Sequence, residues 1–363
     1  MKKLIAFVLA IALLGSLAGC AGTTVVVGNC TCPPERHEPI ATPTEAPAVE
    51  NPTEENAAEG VLKTGLAIVT GIHESKSADG DANGEAKYDV TVVAVTVDEG
   101  GIIRSCIIDS IGASAQFDAA GLPVEGGSKE VLSKNELGEA YGMKAYAGAK
   151  YEWNEQAAAL ADYAVGKSVE ELKSGAVNEA GKAADADLAA VATIYIGGYV
   201  GAIEKAVANA QTLGAQSGDV LKMAIISSLD ASAGEEAGGT AQLNVDVAAI
   251  TMNGETITSC AIDALQAKVA FDGAGVITTD LAAAPQTKNE LGEAYGMKAY
   301  AGAKYEWNEQ AANFAAYITG KTAAEVAGIA VTETTKPADG TDLAASVTIT
   351  IGGFQALVEK AAK

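Results

Sequence analysis

The chain has 363 residues, of which 47 are acidic and 24 basic, giving a formal charge of −23. That balance excludes a nucleic-acid partner, because counterion release needs clustered Lys and Arg. It also excludes electrostatic docking on anionic lipid. With His37 and His73 as the only histidines, neither a His-rich metal site nor a Ser-His-Asp centre is supported, and no metal ligands are nominated.

Residues 1–19 open on Met1-Lys2-Lys3, run through the apolar stretch Leu4 to Leu14 and close on small residues ending at Gly19. A charged start, a short apolar core and a small-residue end mark a secretory signal. The run is too short for a permanent membrane span. Leu17-Ala18-Gly19-Cys20 resembles the lipobox of bacterial lipoproteins. The resemblance implies that Cys20 is lipidated and begins the mature chain, anchoring it outside a bacterial cell membrane. Losing Lys2 and Lys3 takes the charge from −23 to −25. Residues 20–64 are rich in Pro, Thr, Glu and Ala and predict a disordered tether. Within it, Cys30-Thr31-Cys32 is too closely spaced for an ordinary zinc site and reads as a local disulfide or two free thiols.

Residues 134–158 recur without a change at 288–312, 154 positions later. The same offset pairs Cys106 with Cys260 and Phe117 with Phe271, and past one inserted residue Gly197-Gly198 pairs with Gly352-Gly353. The chain is a tandem duplication, with repeat unit 1 at 65–211, repeat unit 2 at 219–363 and a Gly/Ser hinge at 214–218. Units of this length are too long for solenoid repeats and large enough to be domains, so each is expected to fold by itself. Cys106 and Cys260 read as small core hydrophobes. A disulfide between them would need the two domains face to face, which is not expected.

In each unit a strand (Tyr88 to Val97, Leu243 to Met252) leads through a turn into a second strand (Ile103 to Ile108, Ile257 to Ile262). Asn253-Gly254 is a strong hairpin turn. After the repeated block come a helix (Glu152 to Val165, Glu306 to Ile318), a short acidic helix, a strand (Ala190 to Ile196, Ala345 to Ile351), a Gly-Gly pair and a closing helix. The expected fold class is α+β: two tandem copies of an antiparallel sheet with C-terminal helices, after a disordered tether.

The closing stretch from Asp342 through Thr348, Thr350 and Gly352-Gly353 resembles the end of the FMN-binding domain family, the extracytoplasmic domains of sodium-pumping quinone reductases and related flavoproteins. The resemblance implies FMN as cofactor, carried on Thr350 through a phosphoester, with Asp342, Thr348, Gly352 and Gly353 around it. In unit 1 the matching residues are Asp187, Thr193, Gly197 and Gly198, with Tyr195 standing at the modified position. Ala345, Ser346 and Val347 depart from the family's Ser/Thr-Gly-Ala, so both sites are degenerate. Independently, a Gly-Gly helix start exposes backbone N–H groups suited to a phosphate, or simply lets the chain turn.

The repeated block concentrates aromatics. Tyr141, Trp153, Tyr295 and Trp307 are candidates for a ligand pocket, with anchoring of helix to sheet as the other reading. Lys134, Lys144 and Lys150 offer positive charge for a phosphate. Glu136 and Glu139 are not placed across any scissile bond, so no catalytic residue is nominated. Three functions follow: a surface lipoprotein handling flavin or electrons with an unnamed redox partner, a non-catalytic lipoprotein that captures a small ligand or envelope component without flavin, or an enzyme, for which no nucleophile–base pairing emerges.

Overall fold

The strand Gly84–Val97 alternates between buried and more exposed residues as far as Thr91, and from Val92 to Val97 it is buried on both faces. Val90, Val92 and Ala94 on one face and Val93, Val95 and Val97 on the other are all buried. A strand that is apolar on both faces needs a packing layer on each. The structure, a computed structural model that describes residues 60–234 and 237–363, supplies both layers.

In chain order the first repeat contains β1 (Lys63–Gly71), β2 (Gly84–Val97), β3 (Ile103–Phe117) and β4 (Gly127–Glu130). Its helices are α1 (Lys134–Leu137), α2 (Met143–Ala147), α3 (Trp153–Ala164), α4 (Val169–Ala176), α5 (Ala186–Val191) and α6 (Gly197–Ala208). The second contains β5 (Val220–Ala233), β6 (Gly239–Asn253) and β7 (Thr256–Phe271). Helices α7 (Lys288–Leu291), α8 (Met297–Ala301), α9 (Trp307–Ile318), α10 (Ala323–Ala327) and α11 (Gly352–Ala362) follow. One antiparallel sheet has the order β1-β2-β3 and the other β4-β5-β6-β7. The α+β class, with antiparallel sheets and C-terminal helices, is as the sequence predicts.

The arrangement of the repeats differs from the expectation of two self-contained domains. The two sheets share one core, in which Ile68, Tyr88 and Phe117 meet Leu229, Leu243 and Phe271. Phe117 and Phe271, equivalent in the duplication, stack with ring centroids 3.9 Å apart and planes 6° from parallel. The Tyr88 hydroxyl donates to the Ala241 carbonyl across the same layer at 2.7 Å. Helices α3 and α6 pack on the outer face of the first sheet, and α9 and α11 on that of the second. Strand β4 crosses from the first repeat to pair with β5 of the second. The physical reason is in the strands: each sheet has two apolar faces, and its own helices cover only one.

The sheets therefore do lie face to face, yet the thiols do not meet. Cys106 packs among the helices over the first sheet and Cys260 among those over the second, on opposite outer layers. Both are free, and burial pushes each thiol up to about 12, so neither is a nucleophile at neutral pH. Cys20, Cys30 and Cys32 lie outside the described residues.

Two local expectations are also corrected. The stretches Ala190 to Ile196 and Ala345 to Ile351 are not strands. Their backbone groups are taken by a side chain instead. Gln156 Oε1 accepts from the Thr193 and Ile194 N–H groups at 2.8 and 3.2 Å, and Gln310 Oε1 from Thr348 and Ile349 at 2.7 and 3.2 Å. The Gly/Ser hinge is pinned rather than free, because Leu62 N–H donates to the Ala215 carbonyl and Thr64 N–H to the Gln211 carbonyl. Gly214 is obligatory there: its φ is +116°, and a Cβ would sit 2.3 Å from the Thr258 carbonyl oxygen.

Candidate functional site

The residues nominated for flavin lie on two separate surfaces, one per repeat. Thr350, Thr348 and Asp342 are exposed, as are Thr193 and Asp187. The Thr348 and Thr193 hydroxyls are already bonded to Gln310 and Gln156, each at 3.1 Å. Gly352 and Gly353 begin α11, and Gly197 and Gly198 begin α6. Tyr195, at the position equivalent to Thr350, is 69% exposed with Lys182 over its ring. This geometry fits attachment at an accessible Thr350 hydroxyl. The two cavities described below are lined by other residues.

The aromatic candidates are filled from within. Lys134 Nζ lies 5.1 Å from the ring centroids of both Tyr141 and Trp153. Lys288 repeats this over Tyr295 and Trp307, at 5.2 and 4.8 Å. A lysine ammonium held between two aromatic faces is a favourable cation–π arrangement, so it occupies the place a ligand would take. Trp153 and Trp307 are buried, packing against Tyr199 and Phe354 respectively. They anchor helix to sheet. Lys144 pairs with Glu155 at 2.7 Å and Lys150 covers Tyr151, so the block's lysines are largely engaged.

A cavity of about 710 Å³ lies elsewhere, between the edge strands β1 and β7. Both repeats build it. The first contributes Thr64, Leu66 and Ile68 from β1, Lys205 from α6 and linker residues 211–213; the second contributes β7, α7 and α9. Thr64 and Ser259 share a hydrogen bond of 2.7 Å across the junction. Lys205 pairs with Glu290 of the other repeat at 2.6 Å and donates to the Ile68 carbonyl at 2.9 Å. The duplication repeats this clasp as Lys360 with Glu136. Despite burial, which pushes it up, hydrogen bonds and the nearby Lys205 hold the Glu290 carboxyl below its usual value. A second cavity of about 400 Å³ lies beside β4, between Ser114 and Ala231.

The most unusual group in the larger cavity is Asp263. It stands on β7 within an apolar stretch and accepts from the Ala264 and Asn289 N–H groups at 2.8 and 3.1 Å. Burial pushes its carboxyl up to about 6, offset in part by these bonds and Thr287, and Glu290 adds like-charge repulsion. Asp109 is the equivalent in the first repeat, buried and raised for the same reasons. The cavity lining of Asp263, Asn289, Glu290 and Lys205 was not nominated from the sequence. The available signal was an aspartate in an apolar strand, Ile107-Ile108-Asp109 and Ala261-Ile262-Asp263, at the same place in both copies.

The raised carboxyl makes stability pH-dependent. An Asp unfolded at its ordinary value and folded at about 6 binds its proton more tightly when folded. Its contribution is complete below pH ~4 and is lost as pH rises through ~6, amounting to about 3 kcal/mol at most. Asp263→Asn keeps the acceptor oxygen and removes the titration. Thermal unfolding should then show a higher Tm at pH 7.5 than wild type, and a smaller Tm gain on acidifying to pH 5. An unchanged pH profile would contradict this reading of Asp263.

Among the described residues no helix is long and apolar enough to cross a membrane, and none of their His, Cys, Asp and Glu side chains form a group that could hold a metal ion. Compared with models of known families, with curated proteins and with solved structures, the chain gives no match.

Proposed function

We propose that the chain is an extracytoplasmic lipoprotein, anchored through Cys20, that captures a small organic ligand in the cavity between β1 and β7. The observation that carries the reading is the cavity: about 710 Å³, assembled from both repeats, apolar in much of its wall and supplied with a few converging polar groups. That size and mixture are typical of small-molecule sites. The lipobox-like Leu17-Ala18-Gly19-Cys20 supports the anchor. The absence of a nucleophile paired with a base in this cavity favours capture over catalysis.

Mass spectrometry of the chain purified from its own membranes tests the proposal. Under native conditions one non-covalent adduct per chain is expected, and the denatured mass should carry lipid on Cys20. Cys20→Ala should move the chain from membranes to the medium. An unlipidated mass beginning elsewhere, or a Cys20→Ala chain retained after a salt wash, would overturn the anchor; a chain without adduct would overturn ligand capture. A second reading, electron transfer by covalent FMN, rests on the exposure of Thr350 at the start of α11. It requires a flavin increment on the Thr350 peptide that survives denaturation.

A further inference from the structure

Resting on the ligand-capture reading, the geometry points to an organic cation with an apolar body, such as a protonated amine, as the class of ligand held in the β1–β7 cavity beside Asp263. Three observations converge on this. The first is the charge inventory. The carboxylates of Asp263, Glu290 and Glu309 line the cavity against one ammonium, Lys205, which is already committed to Glu290 and a carbonyl. Glu309 is balanced by Lys298 at 2.7 Å, which leaves Asp263 without a counter-ion. Its charged neighbour is Glu290, of like sign. Buried charges in folded proteins are ordinarily paired, and one left unpaired is costly until a cation arrives.

The second observation is an internal comparison. Asp109 has the same surroundings in the first repeat, with Asn135 N–H donating at 3.0 Å. There, however, Ile107 stands where the second repeat has Ala261, and Asp162 where it has Ala316. Ile107 and Ala261 both pack against the shared core from that position, and the smaller Ala261, together with Ala316, also lines the cavity. The two small residues thus leave room beside one of two equivalent aspartates. The third observation is the apolar wall. Leu66, Ile68, Ile262 and Ala315 line the same space and suit a hydrocarbon body. The field of a chain with a charge of −23 favours the approach of a cation.

The test uses the full soluble chain, residues 21–363, at pH 7.5, titrated by calorimetry with three six-carbon probes: hexylammonium, 1-hexanol and hexanoate. Hexylammonium should bind saturably with one site per chain, and the other two at least about tenfold more weakly. Asp263→Asn should weaken hexylammonium by at least about tenfold, while Asp109→Asn, outside the cavity, should leave it unchanged. Ala261→Ile, which copies the first repeat's residue into the second, should abolish binding of every probe. Its fold is checked by the thermal transition. Hexanol binding as tightly as hexylammonium, with both lost in Ala261→Ile, would overturn the cation preference and leave ligand capture standing. Binding that survives Ala261→Ile in a folded chain, or no saturable binding of hexylammonium, would overturn the proposal. Equal loss in Asp109→Asn and Asp263→Asn would overturn the assignment to this cavity.

Discussion

Replacing Phe271 by alanine is expected to cost about 3–5 kcal/mol of stability in urea unfolding, the range for truncating a buried aromatic. Phe271 is buried in the shared core and stacks on Phe117, so the truncation empties space that neither sheet alone can close. Phe117→Ala should cost a similar amount. The double variant should lose less than the sum, because each single change already removes the ring pair. Both single variants should unfold in one transition, with the two repeats lost together. A cost below about 1 kcal/mol, or two separate transitions, would show that the repeats do not depend on each other.

The isolated second repeat, residues 219–363, is expected to fail as a folded monomer. Removing the first repeat exposes Leu229, Leu243, Val247 and Phe271 along one face of its sheet. It also removes β4, leaving β5 as a bare edge. A broad apolar face with an unpaired edge strand favours self-association. Sedimentation should show dimers or larger species, two copies taking the places of the two repeats. A monomer with a sharp cooperative transition would contradict the shared core.

The hairpins β2–β3 and β6–β7 were legible from their Val- and Ala-rich runs and the turns between them, although β3 and β7 extend well past the ends expected. The helices α3 and α9 were legible from Trp153 and Trp307 to the glycines that follow them. Strands β1 and β5 were missed: each precedes the hairpin and pairs with its first strand. The false strands near Thr193 and Thr348 have strand-like composition but give their N–H groups to Gln156 and Gln310. No local pattern announces a glutamine used that way. It does explain part of the repeated block, in which Gln156 and Gln310 clamp the closing segment.

The site was less legible than the fold. The aromatics stand out in a chain that has few, yet Lys134 and Lys288 sit over those rings. The cavity arises between repeats, from β1 of one and β7 of the other, and such a juxtaposition depends on the docking of the two sheets. What could have been read was the two-faced burial of β2 and β6. Val92-Val93-Ala94-Val95 and Val247-Ala248-Ala249-Ile250 leave no polar face for solvent, which requires a second layer beyond the helices. From that second layer the meeting of the repeats, and a space at their seam, would follow.

The most direct measurement is a crystal structure of the chain purified from the membranes that carry it. Density for one organic molecule is expected between β1 and β7, with a nitrogen within hydrogen-bond reach of Asp263 and its apolar part along Leu66 and Ile68. A cavity holding water alone, with a flavin on Thr350 instead, would contradict ligand capture between the repeats.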